Sequence, residues 1–140
     1  MEGLRRMDWK LEVVVLPVSD VERAKRFYSE QVGFNVDVDH RAGEQFRVVQ
    51  LTPPGSACSV TIGTGLSDMP PGTVKGLQLV VSDIEAARAE LVARGVEVSP
   101  IQHFEDGVQK EGPGDDWNSF IFFGDPDGNR WTVQQKPASA

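Results

Sequence analysis

This chain has one cysteine, two histidines, a shortage of basic residues and no long apolar run. A lone Cys58 excludes an internal disulfide and fits a reducing cytoplasm. Its place in an apolar-alternating stretch marks it as packing filler rather than a nucleophile. No stretch approaches the roughly eighteen apolar residues of a membrane span, and no leader pattern opens the chain. Lys and Arg number 14 against 21 Asp and Glu, a net charge of −7. That balance argues against nucleic acid, whose phosphates need clustered cations. It suits a cationic ligand or a merely solubilising surface. What remains is ordinary: 39% hydrophobic and 25% charged residues over 140 positions describe one core. Residues 1–8 are expected to be an extension, with Met7 offering a second start, and 9–140 a single domain.

What is present is a repeat. Val18-Ser19-Asp20-Val21-Glu22-Arg23-Ala24 returns as Val81-Ser82-Asp83-Ile84-Glu85-Ala86-Ala87. Each copy follows a hydrophobic run and precedes a helical pattern that stops at a glycine, Gly33 or Gly95. Two similar units packed as a pseudo-symmetric pair follow from such a period.

The first unit reads β-α-β-β-β. Leu11 to Val18 is a short apolar run suited to a buried strand. Ser19 to Glu22 has the form of a capping box, with the Ser hydroxyl on a free helix N–H and Glu22 reaching back. Strands are predicted over 34–38, 46–52 and 58–63, the last two joined at Pro53-Pro54-Gly55-Ser56. A Gly- and Pro-rich linker at 65–73 separates modules of about 9–64 and 74–136. The second module repeats the pattern, with strands over 76–81, 96–98, 119–123 and 130–135 and a second capping box at Ser82. Its distinctive feature is a long irregular stretch, Gln102 to Asp116, of the kind that forms lids or binding loops.

The paired βαβββ units, the two Val-Ser-Asp helix starts and the turn Asp125-Pro126-Asp127-Gly128-Asn129 resemble the vicinal oxygen chelate superfamily. Glyoxalase I, extradiol dioxygenases and bleomycin-resistance proteins belong to it. The resemblance covers roughly residues 11–135. It implies an α+β fold in which two modules pair around a central cavity, and a homodimer, sometimes with strand or module exchange. It also implies metal ligands at set places: seven residues before each helix-start Asp, three after the turn Asn, and in the strand around Ser59 to Thr61. Those places hold Val13, Gly76, Thr132 and hydroxyls. Val and Gly have no donor atom and a neutral Thr is a poor one, so no metal or other cofactor is expected.

Strand alternation supplies the expected cavity lining. Val13, Val15, Gln50, Ser59 and Thr61 face inward from the first module; Gly76, Gln78, Thr132 and Gln134 do so from the second. Gly76 leaves room where relatives carry a side chain. Phe104 and Trp117 stack on an aromatic or cationic ligand, or else anchor the loop. His103 is a general base or an exposed loop residue. His40 is read as a surface residue and Trp9 as packing at the chain start. Glu105, Asp106, Glu111, Asp115 and Asp116 make an acidic rim or a solvated loop. Asp125 and Asp127 serve the turn's own backbone. Gly63-Thr64-Gly65 lacks the third glycine and the helix of a dinucleotide site.

Three functions fit. The first, and the favoured one, is metal-free binding of a small organic molecule in the inter-module cavity, as resistance proteins do. The second is a lyase, isomerase or dioxygenase whose divalent metal is held by displaced ligands from Glu12, His103 or Gln134. The third is metal-free acid–base catalysis by His103, with Gln78 or Gln134 orienting the substrate.

Overall fold

The computed structural model describes residues 5–140. The first module runs β1 (Val13–Val15), α1 (Val21–Arg26), a π-helical segment (Phe27–Gln31), β2 (Asn35–Arg41), β3 (Arg47–Thr52) and β4 (Ser59–Thr64). The second runs β5 (Leu77–Val81), α2 (Ile84–Ala93), β6 (Gln102–Glu105), β7 (Val108–Glu111), β8 (Phe120–Gly124) and β9 (Arg130–Gln135). Sheet orders are β1-β4-β3-β2 and β5-β9-β8-β6-β7. In each, the first strand of the module pairs in parallel with its last, and the other pairings are antiparallel. This is the expected α+β pair of modules, with one strand more in the second.

That strand is a correction. The stretch 102–116 is not wholly irregular: residues 102–111 form a hairpin around Asp106-Gly107, where Asp106 takes a φ of 49°. Its alternation was masked by acidic residues on both faces. The strand predicted at 96–98 reduces to one bridge between Val98 and Phe123.

The helix starts differ from a capping box. Asp20 and Asp83 are the caps, each accepting from the backbone N–H three residues on (Arg23 and Ala86, both 3.1 Å). Ser19 is drawn off to Asp127, with its Oγ 2.5 Å from Oδ1. Glu22 pairs with Arg47 at 2.5 Å instead of reaching back. Gly33 and Gly95 end the helical segments at φ of +91° and +83°, where a Cβ would be strained.

The helices lie between the two sheets, and one core serves both modules. The π-helical segment, closed by Val32 N–H on the Phe27 carbonyl at 3.0 Å, turns Phe27 and Tyr28 inward together. Phe27 packs on Phe123, and Tyr28 on Phe34 and Trp131. Tyr28 donates to Asp125 Oδ2 at 2.7 Å and accepts from Trp131 Nε1 at 2.9 Å. Asp125 also accepts from Asn129 Nδ2 and from the backbone of Asp127 and Asn129. It therefore serves its turn, as expected, and clamps the other module as well. Burial, and next the Asp125 charge, push the Tyr28 hydroxyl far above its ordinary range. Arg47, buried in β3, makes two hydrogen bonds to Asp39 at 3.0 and 2.8 Å. Those bonds, with help from Lys25, hold the Asp39 carboxyl well below the usual carboxylate range.

Trp9 does not pack at the chain start. It is 89% exposed, in the segment before β1 that belongs to no strand or helix. Residues 1–4 of the expected extension lie outside the described residues.

Candidate functional site

Because the helices and core fill the space between the sheets, each sheet turns its other face outward. Register settles which residues stand there, since paired residues share a face. On the first sheet Val13 pairs with Ser59, Val15 with Thr61 and Gln50 with Thr61, while Val49, Leu51, Val60 and Ile62 fill the core. The five residues expected from this module thus share one outer face. Gln50 Nε2 donates to Ser59 Oγ at 3.4 Å, and Thr52 Oγ1 lies 2.6 Å from the same hydroxyl. Thr52 also donates to Asp37.

On the second sheet Gln78 pairs with Thr132, Val80 with Gln134, Phe122 with Thr132, and Phe120 with both Gln134 and Gln102. Phe104 shares that face, its ring 5.5 Å from Phe120, and Phe120 stands 6.3 Å from Phe122 with planes 12° apart. The result is a row of three phenylalanines bordered by amides. Gln78 Nε2 donates to Gln134 Oε1 at 2.6 Å, and Gln134 Nε2 donates to the Trp117 carbonyl at 2.8 Å. Trp117, at a φ of 61°, is half exposed beside this face, and Asn118 pins the loop by exchanging two 2.9 Å bonds with the Phe104 backbone. The two groups of residues meet where Ser59, Gly76 and Gln78 line a cavity of about 320 Å³ with Leu11, Val14 and Trp131. A Cβ on Gly76 would meet nothing within 4 Å.

His103 is not part of this face. It precedes Phe104 and so points to the other side of β6, where it pairs with Lys110 in register. Its Nδ1 is 2.8 Å from the Gly112 carbonyl and its Nε2 is 3.2 Å from Glu105, and its side chain is only 14% exposed. The Gly112 carbonyl, and then Glu105, raise its pKa above the ordinary histidine value. His103, Glu105 and Lys110 thus form a staple across the hairpin.

Residues 10–133 match the Glyoxalase/Bleomycin resistance protein/Dioxygenase superfamily. The chain belongs to this superfamily. TnmS3, an antibiotic binding protein from Streptomyces sp. CB03234, is 34% identical, covers 94% of this chain and 99% of its own, and superposes with a TM-score of 0.75. A glyoxalase/bleomycin resistance protein from the same organism is 35% identical over 90% of this chain and 100% of its own, at a TM-score of 0.70. The YetH protein of Bacillus subtilis (strain 168) is 23% identical over 128 residues, 90% of this chain and 98% of its own.

Superfamily membership raises the question of a divalent metal. The places that the resemblance assigns to metal ligands hold Val13, Gly76, Thr132 and the Ser59 and Thr61 hydroxyls, a donor set without carboxylate, imidazole or thiolate. Among the described residues no three His, Cys, Asp or Glu side chains cluster to hold an ion. These residues do not fit the metal, and no chemistry is derived through it.

Sequence reasoning missed Phe120, Phe122, Gln102 and Gln109 as members of this superfamily protein's second face. Phe120-Ile121-Phe122-Phe123 is unbroken in hydrophobicity, so parity was unreadable; only the partners of Gln134 and Thr132 across β8 reveal it. Gln109, opposite Phe104, required the hairpin to be known.

Proposed function

We propose that this protein binds a small aromatic organic molecule against the outer face of its second sheet, without a metal, and sequesters it in the manner of resistance proteins. The observation that carries this reading is the row Phe104, Phe120 and Phe122 bordered by Gln78, Gln134 and Thr132. Three rings offer a planar ligand stacking and burial, while amides and a hydroxyl set its orientation, the usual make-up of an organic-ligand site. TnmS3, similar at 34% identity, being an antibiotic binding protein supports this class of ligand. Glu111, in register with Gln102 beside Phe120, and the neighbouring loop acids Asp115 and Asp116 favour a cationic one. Acid–base catalysis by His103 is not advanced, because its ring lies on the opposite side of the sheet. The protein acts as a homodimer in a reducing cytoplasm, where two copies cover each other's open faces and a lone, half-buried Cys58 stays reduced.

The test is a melting and tryptophan-fluorescence screen with bleomycin, doxorubicin and tetracycline as probes. At a hundredfold excess over Kd, binding stabilises by about 2.7 kcal/mol, which raises Tm by roughly 5–10 °C. The double substitution Phe104→Ala and Phe122→Ala is expected to abolish the shift. If no probe moves either signal, the reading fails.

A further inference from the structure

Arg130 opens β9 in alternation with Thr132 and Gln134, and its register partner on β8 is Gly124. A Cβ built on Gly124 would come 2.8 Å from one Arg130 guanidinium nitrogen and 3.4 Å from its Cδ. Gly124 continues the alternation of Phe120 and Phe122, so that Cβ direction is the face of the phenylalanine row. The guanidinium therefore lies across Gly124 on this face, in space that a side chain there would take. On the other side of Arg130 comes Gly76, because Leu77 pairs with Trp131 in the parallel ladder. One end of the face is thus a row of Gly76, Arg130 and Gly124, and the next row is Gln78, Thr132 and Phe122.

The charge on Arg130 is not neutralised within the protein. Among the described residues it joins no ion pair, whereas Arg23, Arg41, Arg47 and Arg94 each do. The two acids of the adjoining turn are already engaged, Asp125 by Tyr28 and Asn129, and Asp127 by Ser19 and Arg23. A planar guanidinium with open donors beside an aromatic row suits a carboxylate, or an ionised phenol or enol, on a flat ligand. Glu111 marks the opposite corner, four residues along the strands and three strands across, roughly 20 Å away. The face therefore has a basic end and an acidic end, with the rings between them.

We propose that Arg130 is an anion subsite at one end of the aromatic face, and that the ligand is an amphoteric aromatic acid. Its acidic group pairs with the guanidinium, its rings lie over Phe122 and Phe120, and its basic group points towards Glu111. Gly76 and Gly124, without side chains, leave both flanks of Arg130 open to the acidic group. The proposal rests on the aromatic binding face argued above and names the charge its ligand carries.

Fluorescence titration of the full chain with two matched probes tests it: anthracene-9-carboxylate, and the neutral 9-anthracenemethanol. The parent is expected to bind the acid about tenfold more tightly than the alcohol, with the preference shrinking as salt is raised. Arg130→Gln should abolish that preference, with circular dichroism unchanged because the side chain is exposed. Gly124→Ala, whose Cβ displaces the guanidinium without removing its charge, should reduce it. A parent that binds both probes equally, or a preference that survives Arg130→Gln, overturns the subsite and leaves the aromatic face standing. Acid binding that is lost in Arg130→Gln but unmoved by Phe104→Ala with Phe122→Ala upholds the subsite and overturns the face. A parent that binds neither probe overturns both.

Discussion

Tyr28 is held by two polar contacts inside an otherwise apolar core, so its hydroxyl is a sensitive place to cut. Tyr28→Phe leaves Trp131 Nε1 without its acceptor and Asp125 Oδ2 with Asn129 Nδ2 as its remaining donor. A loss of about 1–3 kcal/mol is expected for unsatisfied buried groups, read from urea unfolding midpoints. A loss below the error of the measurement would mean that water replaces the hydroxyl. His103 makes a pH-dependent prediction. Its pKa is raised in the folded protein by Gly112 and Glu105, with Lys110 opposing. Its contribution to stability is therefore full below the unfolded value of about 6.5 and is lost as pH rises through the higher folded value. Unfolding midpoints of the parent should fall over that interval more than those of His103→Asn. Parallel curves would show that the hairpin staple contributes nothing.

At the scale of the element, the helix starts divide the work between neighbouring residues. Asp20→Ala and Asp83→Ala should each cost about 1 kcal/mol as lost caps. Ser19→Ala should act through Asp127 and the inter-module contact, so combining it with an Asp127→Ala change should cost little more than either alone. Thermal unfolding of the single and double variants checks both statements. The two-module plan, the strand over 130–135 and the glycine helix stops were legible because local chemistry determines them: β-branched runs, Asp-Pro-Asp-Gly, and glycine at positive φ. That Gln78, Thr132 and Gln134 share one face was legible from alternation, although the expected face was inward and the observed one is outward. Which side of the molecule that face lies on was not legible, because it depends on how the modules stack. The Phe120–Phe122 row and the buried Arg47 were hidden for related reasons. An unbroken apolar run has no phase, and an arginine's burial depends on Asp39 and Glu22 arriving from other elements.

For the molecule as a whole, the donor set at the superfamily's metal places predicts indifference to metals. Melting curves with EDTA, nickel, zinc, manganese or iron should overlay, and elemental analysis should find less than one equivalent. One tightly held ion, with a lower Tm after chelation, would place an enzyme ahead of a binder. The clamp from Tyr28 to Asp125 has a further consequence. It joins residues 97 apart, and the aromatic stack around it draws on both halves of the repeat. Neither half then holds a sufficient core of its own, and yet the exposed stretch around Asp68 to Pro71 that links them makes few bonds. Two polypeptides divided there and co-expressed should find each other and rebuild the native spectrum, while either produced alone should aggregate. The repeat would thereby behave as an obligate pair of unlike partners that happen to share one chain.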